Sequence, residues 1–405
     1  MKKRVLMMVV VVMFVAVLVA SCSTPAATET AAPEAPAAEE AAAATEAPAA
    51  EEAAATETEA AEEPAASGDA LEVGYILSGP DIYYEQSYRV FEALAEAEGW
   101  NVTKTASDYD PKKETNNVQD MIAKGVDIIV LNDVTSSNGA ACAKLAYEAN
   151  IPMFFVTTLP DDTEGVTASC SGAWYQVGEA WAEWMAEKTE NNPDATFVLI
   201  EGAYGQGTTE LMRLGFLDKW GELFGKTAQE VFDENIIYNQ TGQWQTDQAV
   251  TVMQDAMSKT GGDFDGILAA NEAMLLGVQK AIAGFEDQYW IATENGYEET
   301  VDEIMTNPKL MTVSCPATAE GEIVFQQIKA YLEDVPFPKY VKCPYVVVDS
   351  DTVETVVVLP YKDEVEYLSW VAEDMTGIDV TAMEDSGSTD PDWSGMVELN
   401  GAKSA

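Results

Sequence analysis

The chain has 405 residues, 47% of them apolar and 9% aromatic. This length exceeds what one compact core holds and fits a leader followed by two domains. Its 21 Lys and Arg stand against 70 Asp and Glu, and the formal net charge of −49 excludes the basic face that a nucleic-acid binder needs. Because the sequence contains no histidine, Ser-His-Asp catalysis, Cys-His catalysis and His-ligated metal sites are excluded as well.

The N-terminus predicts export and lipidation. Positive residues at 2–4 precede the apolar run 5–20, which is shorter than the about 20 residues that span a bilayer. The segment Val19–Cys22 resembles the lipobox of bacterial lipoproteins, which implies a signal peptide at 1–21 and a lipid on Cys22. The alternative is an ordinary secretory peptide followed by a chance cysteine. We expect a protein anchored by lipid on the outer face of the cytoplasmic membrane or in the periplasm.

Residues 22–69 predict a disordered tether. From residue 23 the segment is almost entirely Ala, Glu, Thr, Pro and Ser, with eleven Glu, Asp69 and no Lys or Arg. Such a composition cannot bury enough apolar area to offset the entropy of ordering, and its prolines interrupt any long helix. We therefore expect a solvated, self-repelling spacer.

Strand-like and helix-like segments alternate from residue 70 onward. The first series predicts strands at Leu71–Leu77, Val102–Ala106, Asp127–Asn132 and Pro152–Thr157, and helices at Tyr84–Glu98, Lys113–Lys124 and Asn138–Ala149. The second predicts strands at Thr196–Ile200, Glu230–Tyr238, Gly266–Ala270, Trp290–Thr293 and Met311–Cys315, and helices at Thr208–Leu223, Gln243–Lys259, Ala273–Ala283 and Glu298–Met305. Two such series predict two α/β lobes with parallel sheets covered on both faces. Beyond them, Thr355–Leu359 predicts a strand, Glu364–Met375 a helix and 377–405 a polar C-terminal tail.

Four segments carry a family resemblance: Asn117–Gly125, Ile128–Asn132, Ala149–Pro152 and Ala270–Gly277. With them, residues 70 to 350 resemble the periplasmic sugar-binding receptors of ABC importers, of the ribose/galactose-binding type. The resemblance implies a type I periplasmic-binding-protein fold, in which two Rossmann-like lobes are joined by a three-segment hinge. The expected N-terminal lobe is 70–170 plus about 316–346, and the expected C-terminal lobe is 171–315 plus about 347–376.

The resemblance also implies a ligand cleft between the carboxyl ends of the two sheets. In the family, aromatic rings stack on a sugar while polar side chains bind its hydroxyls. The matching positions of this sequence are Asp81, Tyr83, Tyr84, Asn132, Trp244, Asn271 and Glu294.

Three positions depart from the family's pattern. Thr157 and Thr158 stand where sugar binders usually carry an Asp-Arg pair. Glu210 stands where an arginine is expected, with Arg213 close enough to take that role. With fewer guanidinium groups and more carboxylates, the cleft is poorly suited to an anion. A neutral sugar or polyol fits, and so does a cationic ligand held by aromatic and acidic side chains.

Several of these residues have a structural alternative. Tyr83 and Tyr84 could instead be core aromatics at a helix start, and Asn271 could be a helix N-cap. Glu210 fits a solvated helix face in a chain this acidic. Trp244, in contrast, lies between two glutamines, a setting that favours a binding role over a core role.

Four cysteines remain if Cys22 is lipidated, and they allow three pairings in an oxidising compartment. The resemblance places Cys170 and Cys315 at interlobe crossovers, so a disulfide between them would stiffen the hinge. Four buried free thiols are the alternative.

The resemblance predicts a monomeric, non-enzymatic receptor that captures a small-molecule ligand, needs no cofactor or metal, and delivers the ligand to an ABC permease. A ligand-binding input protein for a membrane sensor or chemoreceptor shares every residue-level expectation. The sequence also leaves open a glycosidase with Glu210 and Glu294 as acid and base, and a purely structural envelope protein.

Overall fold

The computed structural model describes residues 70–355 and 380–383. The expected signal peptide, Cys22 and the tether lie outside the described residues, as do the strand and helix expected after residue 355. Within the expected C-terminal tail, Val380 is buried, and its backbone N–H donates to Gln326 Oε1 at 3.2 Å. This short piece of the tail therefore packs against the folded body.

Strands and helices alternate along most of the described chain. The strands are β1 (Glu72–Leu77), β2 (Asn101–Ala106), β3 (Ile128–Leu131), β4 (Met153–Thr157), β5 (Val166–Ser171), β6 (Phe197–Glu201), β7 (Ile236–Thr241), β8 (Gly266–Ala269), β9 (Trp290–Asn295), β10 (Leu310–Ser314), β11 (Tyr340–Lys342) and β12 (Val346–Val348). The α-helices are α1 (Ile82–Ala97), α2 (Pro111–Lys124), α3 (Ser136–Glu148), α4 (Trp174–Lys188), α5 (Gly207–Phe224), α6 (Ala228–Glu234), α7 (Thr246–Thr260), α8 (Glu272–Ala281), α9 (Glu298–Ile304) and α10 (Ala317–Leu332), with 3₁₀ turns at Glu286–Gln288 and Val380–Ala382.

The strands form two six-stranded sheets of matching topology. The first has the order β11-β5-β4-β3-β1-β2 with parallel pairing throughout, and the second has the order β12-β10-β9-β8-β6-β7 with only β12 antiparallel. In both sheets the strand order reverses beside the first strand of the series, β1 or β6. Ligands of open α/β sheets bind outside the carboxyl ends of the strands at this reversal.

The chain passes between the two sheets three times: from β5 to α4, from β10 to α10, and from β11 to β12. Helix α4 packs on α5 and β9, whereas α10 returns to the first sheet and packs on α1. The fold expected from the sequence, two Rossmann-like lobes joined by a three-segment hinge, is confirmed.

Local sequence signals fix several helix ends. Asp81, Asp110 and Thr135 each accept a backbone hydrogen bond as N-caps of α1, α2 and α3. Gly125 and Gly225 end α2 and α5 with φ values of 74° and 70°, a conformation that side chains disfavour.

One predicted element is wrong in its first half. We expected a strand over Glu230–Tyr238, but α6 occupies Ala228–Glu234 and β7 begins at Ile236. Thr227 and Glu230 form a capping box, in which Thr227 Oγ1 accepts from Glu230 N at 3.2 Å and Glu230 Oε2 accepts from Thr227 N at 2.8 Å. This reciprocal cap starts a helix where the apolar residues alone resembled a strand.

Of the two alternatives left open for the cysteines, the structure has the free thiols and not a disulfide between Cys170 and Cys315. Both side chains are buried free thiols, like Cys142 and Cys343. Cys170 packs in a small cluster with Val341 and Cys343, whereas Cys315 belongs to the larger apolar cluster. Within residues 70–355 and 380–383, no helix combines the length and apolar character needed to cross a membrane.

Candidate functional site

A cavity lies between the two lobes, at the carboxyl ends of both sheets. Seven of the residues singled out in the sequence line it: Asp81, Tyr83, Tyr84, Thr157, Trp244, Asn271 and Glu294.

The N-terminal lobe contributes the segment that follows β1. Asp81 caps α1 by accepting from Tyr83 N at 2.8 Å, which fixes the start of the helix at the edge of the cavity. Tyr83 and Tyr84 then lie in the first turn, with ring centroids 6.2 Å apart and ring planes at 83°. Both tyrosines are buried, at 5% and 6% exposure. The start of α1 thus presents one carboxylate and two rings.

The C-terminal lobe contributes Trp244, from the turn between β7 and α7. Its ring crosses Gly202 at the end of β6 so closely that a Cβ there would lie 2.0 Å from a ring carbon. Its indole Nε1–H donates to Gln206 Oε1 at 2.6 Å. Gly202, which has no side chain, and the side-chain amide of Gln206 therefore fix the orientation of this ring.

Asn271, Glu294 and Asn295 form the polar wall of the C-terminal lobe. Asn271 caps α8, because its Oδ1 accepts from Met274 N at 2.8 Å. Asn295 Nδ2 donates to Glu294 Oε2 at 3.0 Å, and Asn295 Oδ1 accepts from Glu272 N at 3.3 Å. Capping and cavity lining therefore coexist at Asn271.

Three residues of the cavity lining hold left-handed backbone conformations. The φ values are 69° at Thr157, 60° at Trp244 and 119° at Asn295. For a β-branched residue such as threonine this conformation is a clear outlier, which persists only where the surroundings over-determine it. Strain of this kind clusters at ligand-binding sites, so its concentration here supports a functional cavity.

The cavity is acidic. Burial raises the pKa of Asp81 to about 6, against the lowering effect of its hydrogen bond from Tyr83 N. Burial, followed by repulsion from Glu272, Asp81 and Glu320, raises the pKa of Glu294 well above its ordinary value. Glu320, on α10, has its pKa raised to about 8 by burial and accepts a 2.7 Å hydrogen bond from Thr157 Oγ1.

Hydrogen bonds between the lobes hold the cavity closed. Ser136 N donates to Gly205 O at 3.0 Å, and Gly207 N donates to Ser136 Oγ at 3.1 Å. Gln206 accepts from Trp244 through its Oε1 and donates through its Nε2 to Asp133 O of the other lobe at 3.5 Å. The start of α3 therefore meets the start of α5 beside the cavity.

Two of the expected ligand residues lie behind the cavity rather than on its lining. Asn132 Oδ1 accepts from Ser78 N at 3.1 Å and from Ser78 Oγ at 2.7 Å, while its Nδ2 donates to Val156 O at 3.4 Å. Asn132 thereby ties the ends of β1, β3 and β4 together. Thr158 Oγ1 accepts from Asp133 N at 3.3 Å and is buried.

Glu210 and Arg213 are likewise outside the cavity lining. Arg213 Nη1 donates to Glu201 Oε2 at 2.5 Å, and its Nη2 donates to Glu210 Oε2. All three side chains are about 1% exposed, so they form a buried ion-pair triad between β6 and α5. Glu210 is therefore neither a solvated carboxylate nor a partner of Glu294 across a substrate, and the glycosidase pair considered from the sequence is not assembled.

Sequence reasoning missed four lining residues: Trp174, Thr208, Met212 and Asn295. Trp174 begins α4, immediately after a crossover, and its Nε1–H donates to Thr157 O at 2.7 Å. The signal that could have found it is Gly172, which makes room for its ring, since a Cβ on Gly172 would lie 2.3 Å from a ring carbon. Thr208 and Met212 share one face of α5 at a spacing of four residues, a periodicity that also describes ordinary core contacts.

Comparison with known proteins agrees with this architecture. The chain is 22% identical over 246 residues to the D-apiose import binding protein of Paraburkholderia graminis, covering 60% of this chain and 74% of the relative. It is 26% identical over 274 residues to the fructose import binding protein FruE of Bifidobacterium longum, covering 64% and 79%.

Solved structures share the fold. A Mycobacterium smegmatis protein in complex with β-D-fucofuranose matches with a TM-score of 0.64 and 18% identity, over 78% of this chain and all of that one. A solute-binding protein from Bacillus halodurans with bound myo-inositol matches with a TM-score of 0.62 and 19% identity, over 71% and 98%. The model of the periplasmic binding protein domain matches residues 73–334, and the chain belongs to this family.

Proposed function

We propose that the protein is an extracytoplasmic receptor of an ABC importer, which encloses a sugar, polyol or similar small polar ligand between its lobes and presents it to a membrane permease. The observation that carries this proposal is the interlobe cavity, lined from both sheets by aromatic rings, amides and carboxylates. Relatives named for the import of apiose and fructose support the same role. The family contains transport receptors, which act outside the cytoplasmic membrane and bind without chemistry.

Binding and closure are coupled in this proposal. Tyr84 on one lobe and Trp244 on the other reach the same cavity, so a ligand contacts both only when the lobes are together. Such a ligand stabilises the closed state by its differential affinity, and the permease distinguishes closed from open receptors. Asp81, Tyr83, Thr157, Asn271 and Glu294 complete the contacts proposed for the ligand.

We further propose that Cys22 carries a lipid. A lipid anchor keeps the receptor near its permease and raises the local concentration without any new contact between the two. Replacement Cys22→Ala in the producing cells should move the protein from the membrane fraction to the soluble fraction. Retention of that variant in the membrane fraction would refute lipid anchoring at this residue.

A calorimetric screen of monosaccharides and polyols on the purified protein tests the receptor role. We expect at least one compound to bind and to raise the melting temperature, because a ligand at a hundredfold excess over its Kd adds about 2.7 kcal/mol of stability. Failure of every sugar and polyol to bind would contradict a receptor for neutral solutes.

Two matched tryptophan variants locate the site. Trp244→Ala removes a ring from the cavity lining, whereas Trp290→Ala removes one from the first residue of β9, at the end of the sheet away from the cavity. We expect the first variant to weaken the binding of any hit at least a hundredfold, and the second to leave the Kd within about threefold. Equal effects of the two variants would refute the placement of the site.

A further inference from the structure

The charge of the cavity lining is unbalanced. Asp81 and Glu294 bring two carboxylates into it, and among the described residues no Lys or Arg lines the cavity. A neutral polyol does not require two acidic side chains in a lining without a basic one, because its hydroxyls both donate and accept hydrogen bonds. The lining therefore has two acidic groups and no basic group among the described residues.

The nearby arginine does not correct this imbalance. Arg213 is the one basic side chain that is buried among the described residues, and Glu201 and Glu210 already accept from its guanidinium. The groups that shift the pKa of Glu294 by their charge are the carboxylates of Glu272, Asp81 and Glu320. Within the part of the chain that the structure describes, no cation faces the acidic groups of the cavity, and the raised pKa of Glu294 means that this carboxyl holds a proton that a bound cation would replace.

Closure intensifies the repulsion. Asp81 belongs to the N-terminal lobe and Glu294 to the C-terminal lobe, so bringing the lobes together brings these carboxylates towards each other in a water-poor space. A cation placed between them converts that repulsion into two attractive interactions. The charge of the ligand thus decides how strongly it favours the closed form.

The remaining lining residues also suit a cationic ligand. Tyr83, Tyr84, Trp174 and Trp244 surround the cavity with aromatic rings, whose negative faces attract ammonium groups. Thr208 Oγ1 is buried at the cavity without a hydrogen-bond partner among the described residues, and a hydroxyl can accept from an ammonium. Rings, carboxylates and this hydroxyl converge on one volume.

We propose that the ligand of this cavity carries a positively charged amine, held between Asp81 and Glu294 and enclosed by the aromatic rings. The inference rests on the proposed receptor function and narrows it to a small polar solute that bears an amine. It is separable from that function, because a receptor for neutral sugars can exist without it.

Calorimetry on the intact chain near pH 7, with three pairs of compounds that differ chiefly in charge, tests the inference. The pairs are D-glucosamine with D-glucose, D-glucamine with D-sorbitol, and choline with 3,3-dimethyl-1-butanol. We expect the cationic member of at least one pair to bind at least tenfold more tightly than its neutral partner.

Charge variants then assign the preference to the cavity. Glu294→Gln and Asp81→Asn should each reduce the preference for the cationic compound over its neutral partner at least tenfold. Glu148→Gln is the matched control, because it removes one exposed carboxylate at the end of α3 that lies away from the cavity. Two variants keep the test valid if one of them fails to fold.

The outcomes separate the two proposals. Neutral members that bind as tightly as the amines overturn the cationic ligand and leave the sugar receptor standing. No binding by any amine also overturns it, and the screen of neutral solutes then decides the receptor role independently. A preference for the amine that survives both Glu294→Gln and Asp81→Asn overturns the assignment to these carboxylates.

Discussion

Asn132 has a structural role in this fold rather than the ligand-binding role expected from the sequence. The sequence matched it to a ligand-binding asparagine, but both of its amide atoms bond within the N-terminal lobe. A buried amide that holds three strand ends is a structural group, and its loss leaves the backbone donor of Ser78 unpaired.

We therefore expect Asn132→Ala to lower the free energy of unfolding by about 1–3 kcal/mol, because a buried donor loses its acceptor. Urea unfolding measures this change. Asn116→Ala, at an exposed position of α2, is the matched control and should stay within about 0.5 kcal/mol of the parent. If Asn132→Ala keeps its stability but loses ligand binding, the ligand role expected from the sequence is right and the structural role is wrong.

The buried triad gives a second residue-scale prediction. Arg213→Met should destabilise the protein by about 3–5 kcal/mol, since Glu201 and Glu210 would lose the guanidinium that bonds to both of them. Chemical denaturation measures the loss. Lys219→Met, on the same helix but at a partly exposed site, should cost less than about 1 kcal/mol. Equal losses would show that burial does not set the cost of breaking the triad.

At the scale of elements, the alternation of strands and helices could be predicted from the sequence because apolar runs and N-caps are local signals. Asp81 and Asn271 were matched through the family resemblance, and each lies at the cavity because it follows a strand and begins a helix. Trp174 was not identified, because its position depends on a crossover between lobes. The burial of Arg213 was not identified either, because its partner Glu201 ends a strand twelve residues earlier.

Helix α6 shows that a cap can outweigh an apolar pattern. Thr227→Ala should cost about 1 kcal/mol of stability, because Glu230 N loses its side-chain acceptor, whereas Thr227→Ser should be nearly neutral. Because α6 leads into the first residue of β7, away from the carboxyl ends that form the cavity, neither change should alter ligand affinity. Urea unfolding measures the expected loss of stability, and calorimetry measures the ligand affinity. A loss of affinity would contradict the expectation that α6 does not influence the cavity.

For the whole molecule, buried carboxylates link stability to pH. Burial raises the pKa of Glu114 to about 8, of Asp133 and Glu272 to about 7, and of Asp81 to about 6. The folded chain therefore holds protons that the unfolded chain has already released between about pH 4 and pH 8. Stability falls with rising pH wherever the folded state binds more protons.

We accordingly expect the melting temperature to decrease from about pH 5 to about pH 8, contrary to the usual behaviour of paired carboxylates. A calorimetric series across this range measures it, and repeating the series in high salt screens the repulsion that arises from the net charge of −49. Glu114→Gln should flatten the dependence, because it removes one of the shifted groups. A melting temperature that rises through this window would contradict the prediction.

The two indoles of the cavity have a practical consequence. Trp174 and Trp244 are two of nine tryptophans, and the first bonds to Thr157 of the other lobe. Any motion that parts the lobes breaks that bond and admits water to both rings, which shifts tryptophan emission to longer wavelengths. Stopped-flow fluorescence can therefore time the opening of the unlabelled protein, and Trp244→Phe identifies which ring supplies the signal.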